Sequence, residues 1–390
     1  MSYELIVTEK PAAAKKIAES LADNKPKKES YQKVPYYKIT YKGNEMVVSC
    51  AVGHLFGLAE KEKKGWTYPV FDIGWKPVSE ITKSGKFTEK YLKTLMKLAK
   101  EATSFTIATD YDIEGEVIGL NVLRFICKKK DGNRMKFSTL TKSELIDSYL
   151  HKSKHLDWPQ ANAGETRHVL DWYWGINLSR ALTLAIKKAR GGGFRLLSIG
   201  RVQGPALKLV VEREKEIRAF QPKPYWQIHL LVEKQERKIE AWHKEGRFWE
   251  QEKASQIFEK VKHEKSALGF DIGRNRFNQP APNPFDLTSL QIEAYKTLRM
   301  SPKQTLVIAQ NLYVGGYISY PRTSSQKLPA KLGFKKILSD LSKQTEYAEL
   351  CNILLSKSEL KPNEGKKIDE AHPAIYPTGI SPVSSRYVPC

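Results

Sequence analysis

The chain has 390 residues, more than one ordinary core accommodates, so two to four domains are expected. Its 65 Lys and Arg against 43 Asp and Glu give a formal net charge of +22 and a pI near 9.6, a field that attracts a polyanion and makes nucleic acid the favoured partner. No apolar run reaches the roughly 20 residues of a membrane span, the N-terminus lacks a secretory pattern, and Cys50, Cys127, Cys351 and Cys390 form no Cys-x-x-Cys pair, so a cytoplasmic protein without structural zinc is expected.

Residues Tyr3 to Thr8 are apolar and β-prone, and Pro11 with the Ala-rich stretch after it reads as a helix entered at its first turn. The Lys-rich stretches near Lys25 and Lys63 read as exposed loops. A second apolar stretch, Phe105 to Thr109, runs through Asp110-Tyr-Asp-Ile-Glu-Gly-Glu into a helical pattern around Val117 to Phe125. The strand–turn–helix arrangement thus occurs twice. If the two strands are parallel neighbours, Glu9 and the Asp110 cluster converge beyond their carboxyl ends.

From about His155 to Ala219 the periodicity is helical, with Leu170, Trp174, Leu178, Ala206 and Val210 expected on buried faces and a glycine loop at Arg190-Gly-Gly-Gly-Phe-Arg between them. Residues 225–250 alternate apolar and polar side chains and predict antiparallel strands. Pro280-Ala-Pro-Asn-Pro marks a linker and a domain boundary near residue 280, after which helical periodicity returns from Ser289.

Asp110, Asp112 and Glu114 place carboxylates on alternate residues of a turn, a donor set suited to a hard cation such as Mg2+. An acidic helix N-terminus would carry the same residues without a metal. Tyr320, followed by Pro321 and Arg322, combines a phenolic nucleophile with a guanidinium that neutralises phosphate charge; a tyrosine in a core turn is the plainer alternative.

Taken together, Glu9-Lys10-Pro and Thr109-Asp-Tyr-Asp-Ile-Glu-Gly-Glu resemble the Toprim module shared by topoisomerases, bacterial primases and some nucleases. Gly316-Tyr-Ile-Ser-Tyr-Pro-Arg-Thr-Ser-Ser325 resembles the active-site motif of type IA DNA topoisomerases. Arg167-His-Val-Leu-Asp171, Asn177-Leu-Ser-Arg180, Leu197-Ser-Ile-Gly-Arg-Val-Gln-Gly204, Pro284-Phe-Asp-Leu-Thr-Ser-Leu-Gln291 and Ala371-His-Pro-Ala-Ile-Tyr-Pro-Thr378 fit the same family in order. Lys10 directly after Glu9 is similar to the topoisomerase III branch.

The resemblance implies a multidomain α/β plus α and β architecture. It comprises a Rossmann-like Toprim domain over 1–153, a helical single-strand DNA-binding domain over 154–218, the first pass of a β-rich arch over 219–279 and a helical tyrosine domain over 280–390. It also implies that Tyr320 attacks a phosphodiester of single-stranded or negatively supercoiled DNA, forming a 5′-phosphotyrosine without ATP. Glu9 would protonate the leaving 3′-oxygen, Lys10 would stabilise the transition state, Arg322 would hold the phosphate, and His372 would contact the phosphate or tune the site. Asp110, Asp112 and Glu114 would bind Mg2+, while Arg167, Asp171, Arg180, Arg201 and Gln203 would grip the strand.

Family members continue past the histidine motif, so a second polypeptide completing the ring, or an N-terminal fragment that binds single strands without turnover, is also expected as an alternative. A Toprim nuclease or primase is disfavoured by the tyrosine motif. A reverse gyrase is disfavoured because no Gly-x-x-x-x-Gly-Lys-Ser/Thr loop occurs.

Overall fold

The computed structural model describes residues 2–381. They fall into two compact units, one built from the residues up to Gly200 together with those from Pro280 onward, the other from Arg201 to Gln279. The helical stretch expected over 154–218 is divided between them.

The first unit opens with β1 (Tyr3–Thr8), α1 (Pro11–Leu21), β2 (Lys27–Tyr31), β3 (Val34–Tyr41), β4 (Asn44–Cys50), β5 (Phe56–Glu60), β6 (Ile73–Pro77) and α2 (Val78–Ile81). It continues through α3 (Glu89–Glu101), β7 (Ala102–Ala108), α4 (Ile113–Asn121), β8 (Asn133–Arg134), α5 (Lys142–Leu150), α6 (Trp158–Trp172) and α7 (Leu178–Ala189). Six strands form one sheet in the order β2-β3-β4-β1-β7-β8, with β1 parallel to both β4 and β7.

Alternation along β1 sends Leu5 and Val7 into a core with Leu95, Phe105 and Leu123, and Ile6 into a second core with Ile17, Val48 and Ala108. Both faces of the central strands are therefore covered, which is why they read as continuous apolar runs.

The second unit contains α8 (Gln203–Ala219), a hairpin of β9 (His229–Lys234) and β10 (Arg237–Trp242), and α9 (Gln251–Val261). Gln235 and Glu236, both at positive φ, make the two-residue turn, and His229 stacks on Trp242 at 4.2 Å.

The first unit resumes with α10 (Leu287–Leu298), α11 (Pro302–Gly315), α12 (Phe334–Leu341) and α13 (Thr345–Leu355). Asp286 with Ser289 and Ser301 with Gln304 form capping boxes at the starts of α10 and α11. Gly316, left-handed at φ +83°, stops α11 and turns the chain into the segment carrying Tyr320. Tyr313 and Tyr320 then join the core on the α1 face of the sheet.

One expectation fails. Leu170, Trp174, Leu178 and Val210 are 53%, 44%, 39% and 65% exposed, and Ala206 is exposed as well. The face of α6 that packs on α4 is the one bearing Ala161 and Gly164, whose small size lets the helices approach; Leu170 lies off it. In α8 no residue is buried among the described residues. Periodicity identified shared faces and not what those faces meet.

Candidate active site

The site grows from the carboxyl ends of two adjacent parallel strands. Thr8 at the end of β1 pairs with Ala108 of β7, so Glu9 and Lys10 emerge beside Thr109 and Asp110. Lys10 Nζ lies 2.9 Å from Asp110 Oδ2 and 3.3 Å from Glu9 Oε1. Burial pushes the Glu9 pKa up from its ordinary 4.5, and Asp110 and Asp112 push the same way against Lys10. For Lys10, burial opposes the charge, but Asp110 and Glu9 outweigh it and raise its pKa.

The sign of the Glu9 shift gives a pH prediction. A raised folded-state pKa contributes stability that is present below 4.5 and lost as pH rises through the folded value. Wild-type stability should therefore fall relative to Glu9→Gln as pH climbs above 4.5. Urea midpoints of the two proteins across pH 4–8 check this, and parallel curves would contradict it.

The acidic turn is shaped by α4. The Asp112 Oδ1 atom accepts from Gly115 N at 2.8 Å as the N-cap, and Thr109 Oγ1 donates to the Gly115 carbonyl. A Cβ on Gly115 would stand 2.0 Å from the Asp110 carbonyl oxygen, so only glycine allows this approach. Gly115→Ala should cost roughly 1–3 kcal/mol or more in a urea melt, because the obstacle is backbone. An unchanged midpoint would show that the turn yields easily.

Arg134, fully buried at the end of β8, holds the same turn from beneath. Its guanidinium donates to the Thr109, Asp110 and Met135 carbonyls at 2.9, 3.0 and 2.6 Å, and pairs with buried Glu116 at 2.5 Å. Sequence reasoning missed it, since it stands in a polar, Lys-rich stretch that reads as solvated surface.

Tyr320 is 2% exposed. Its hydroxyl donates to Asp112 Oδ2, its ring lies 5.2 Å from that of Tyr313 and 4.5 Å from that of His372, and its N–H donates to the Ser138 carbonyl at 2.8 Å. Burial, then Asp112 and Asp110, push the phenol pKa far up, while Arg322 opposes them. The hydroxyl is therefore protonated.

His372 donates from Nε2 to the Tyr111 carbonyl at 2.8 Å, and its Nδ1 accepts from Ser138 Oγ at 2.9 Å. Burial lowers its pKa despite the nearby carboxylates, so the ring is neutral with both nitrogens engaged. Its ring packs against that of Tyr320.

The expected metal ligands do not converge. Asp110 is tied to Lys10 and, at 3.4 Å, to Tyr313; Asp112 caps α4 and receives Tyr320. Glu114 is turned away to His54 and His168, with Arg167 3.4 Å from its other oxygen. Their oxygens suit a hard dication, but as placed the three carboxylates do not fit one ion.

Among the expected strand contacts, Arg167 lies 3.7 Å from Asp171, and both line a cavity of about 490 Å³ with Asp112, Glu114 and Arg322. Arg180 does not join them. It is committed to Glu60 and to the Thr67 carbonyl at 2.8 Å, tying down the 61–72 loop. Arg201 and Gln203 belong to the second unit.

Comparison with known proteins agrees with this geometry. The Toprim domain family matches residues 4–140, and the DNA topoisomerase family matches residues 155–386. DNA topoisomerase 1 of Pyrococcus horikoshii is 48% identical over 380 residues, which is 97% of this chain and 55% of the relative. Its counterpart in Methanocaldococcus jannaschii is 47% identical over 374 residues, 95% of this chain and 48% of the relative. Full-length topoisomerase I from Thermotoga maritima superposes with a TM-score of 0.62 at 25% identity, covering 96% of this chain and 55% of that one.

The chain thus spans about half the length of the curated relatives it matches. These relatives carry the name topoisomerase 1, not that of the branch suggested by Lys10. Toprim domains are generally associated with divalent metal binding. A Toprim sheet ending in Glu9 and the Asp110 turn, with Tyr320 seated on that turn, places the chain in the type IA DNA topoisomerase family.

Proposed function

We propose that the chain carries the cleavage chemistry of an ATP-independent type IA topoisomerase acting on single-stranded and negatively supercoiled DNA in the cytoplasm. The observation that supports this most is the hydrogen bond from Tyr320 to Asp112 at the end of the strand pair that also presents Glu9 and Lys10. As the Tyr320 oxygen bonds to phosphorus, its proton passes to Asp112 Oδ2. The bond to the 3′-oxygen breaks, and Glu9, whose raised pKa favours the acid, gives that oxygen its proton. Lys10 and Arg322 offset the charge that builds on the phosphoryl oxygens.

Reversal of these steps reseals the strand, and passage of a second strand between them relaxes negative supercoils. Mg2+ is the proposed dication on donor chemistry, all carboxylate oxygen from Asp110, Asp112 and Glu114. The relatives carry their additional length within one chain, which gives no support to a separate completing polypeptide.

The test is a denaturant-quenched reaction of the full chain with end-labelled single-stranded DNA and Mg2+. A covalent species attached through a 5′-phosphate is expected. DNA binding without any adduct would overturn the cleavage reading and favour a strand-binding fragment.

A further inference from the structure

We propose that His54, Glu114 and His168 form a second metal site, selective for a borderline transition-metal dication such as Zn2+ or Co2+ and distinct from the all-carboxylate set on the acidic turn. His54 Nε2 and His168 Nε2 lie 3.0 and 2.9 Å from the same oxygen, Glu114 Oε2. Among the described residues this is the one group of three or more such side chains whose donor atoms all lie within 4.8 Å of one another.

The geometry requires little movement. An ion with bonds of about 2.0–2.1 Å to nitrogen separates tetrahedral ligands by roughly 3.3 Å, so each imidazole nitrogen needs to draw back from Glu114 Oε2 by a few tenths of an ångström, and the two nitrogens already lie within 4.8 Å of each other. Two imidazoles and one carboxylate are also a donor set for zinc with an open fourth position. Glu114 and His168 line the cavity of about 490 Å³, which gives an ion a path in and leaves room for water on that position. Nitrogen donors disfavour Mg2+, which demands oxygen ligands in octahedral array, and favour later first-row ions.

Two features limit the affinity. Arg167 places positive charge 3.4 Å from the other Glu114 oxygen. His54 Nδ1 is buried without a partner, so the tautomer that frees Nε2 for a metal leaves an unpaired N–H. The site is therefore exchangeable and not a structural zinc. Because Glu114 is shared with the proposed Mg2+ donor set, an ion here would keep it turned toward the histidines, and Zn2+ would compete with Mg2+ for it.

The proposal stands apart from the cleavage reading, and its test contains no DNA. The full chain is titrated with Co2+, following visible absorption, and with Zn2+ by equilibrium dialysis. Tryptophan emission is recorded in parallel, since the Trp75 ring lies 5.6 Å from His168. One equivalent with a tetrahedral cobalt spectrum is expected.

His168→Gln and His54→Gln should each weaken binding by more than about 100-fold, beyond the 10–100-fold typical of losing a supporting partner. His151→Gln, an exposed histidine elsewhere, should leave it unchanged. Circular dichroism establishes that each variant is folded. Equal binding in all variants, a thiolate-to-cobalt band, or no bound ion would overturn the site.

Discussion

Tyr320→Phe should abolish the covalent DNA adduct, a loss on the order of 10⁴-fold or more, because the substitution removes the oxygen proposed to attack. The fold should survive. Asp112 keeps its bond to Gly115 N through the other carboxylate oxygen, and the Phe ring still packs between Tyr313 and His372. The lost hydroxyl bond to a carboxylate is worth up to about 3 kcal/mol, partly offset because phenylalanine is easier to bury.

The measurement is adduct yield on a denaturing gel beside single-strand binding by anisotropy. Loss of the adduct with binding retained is the expected pair. An adduct that persists in the variant would mean that another residue attacks.

Burial and the two aspartates hold the wild-type phenol protonated, so no standing population of phenolate carries the reaction. Cleavage should instead follow the arrival of the phosphate and the transfer of the proton to Asp112.

Much of this site was legible in the sequence, for identifiable reasons. The stretches leading into Glu9 and Asp110 are β-prone and end in a proline or an acidic turn, so strand, turn and helix are each set locally. The parallel pairing of the two strands brings the segments together, and a doubly covered sheet is what continuous apolar runs imply.

The partners of the carboxylates were not legible. His54, in the loop before β5, is 60 residues from Glu114, and His168, in α6, is 54 away; neither carries a local mark of its acceptor. Arg180 illustrates the converse. Its family position suggested the strand, while the fold gives its guanidinium to Glu60.

Arg134 is the clearest case of a residue whose role depends wholly on tertiary structure, and its replacement is the second large effect. Arg134→Met should destabilise the first unit by roughly 3–5 kcal/mol, because it strands the Glu116 carboxylate in the core and frees the Thr109 and Asp110 carbonyls. Arg134→Lys should recover little, since one ammonium cannot reproduce a planar fork that reaches several acceptors.

The double variant Arg134→Met/Glu116→Leu separates the two costs. Glu116 Oε2 already has no partner, so removing both charges should restore part of the stability. The carbonyls of the acidic turn remain without their donor, so adduct yield should stay low in single and double variants alike, at temperatures where both are folded. Urea denaturation and adduct yield measured together read the two effects independently. A single variant that loses less than about 1 kcal/mol, or a double variant less stable than the single, would show that the buried ion pair is not what secures the Asp110 turn.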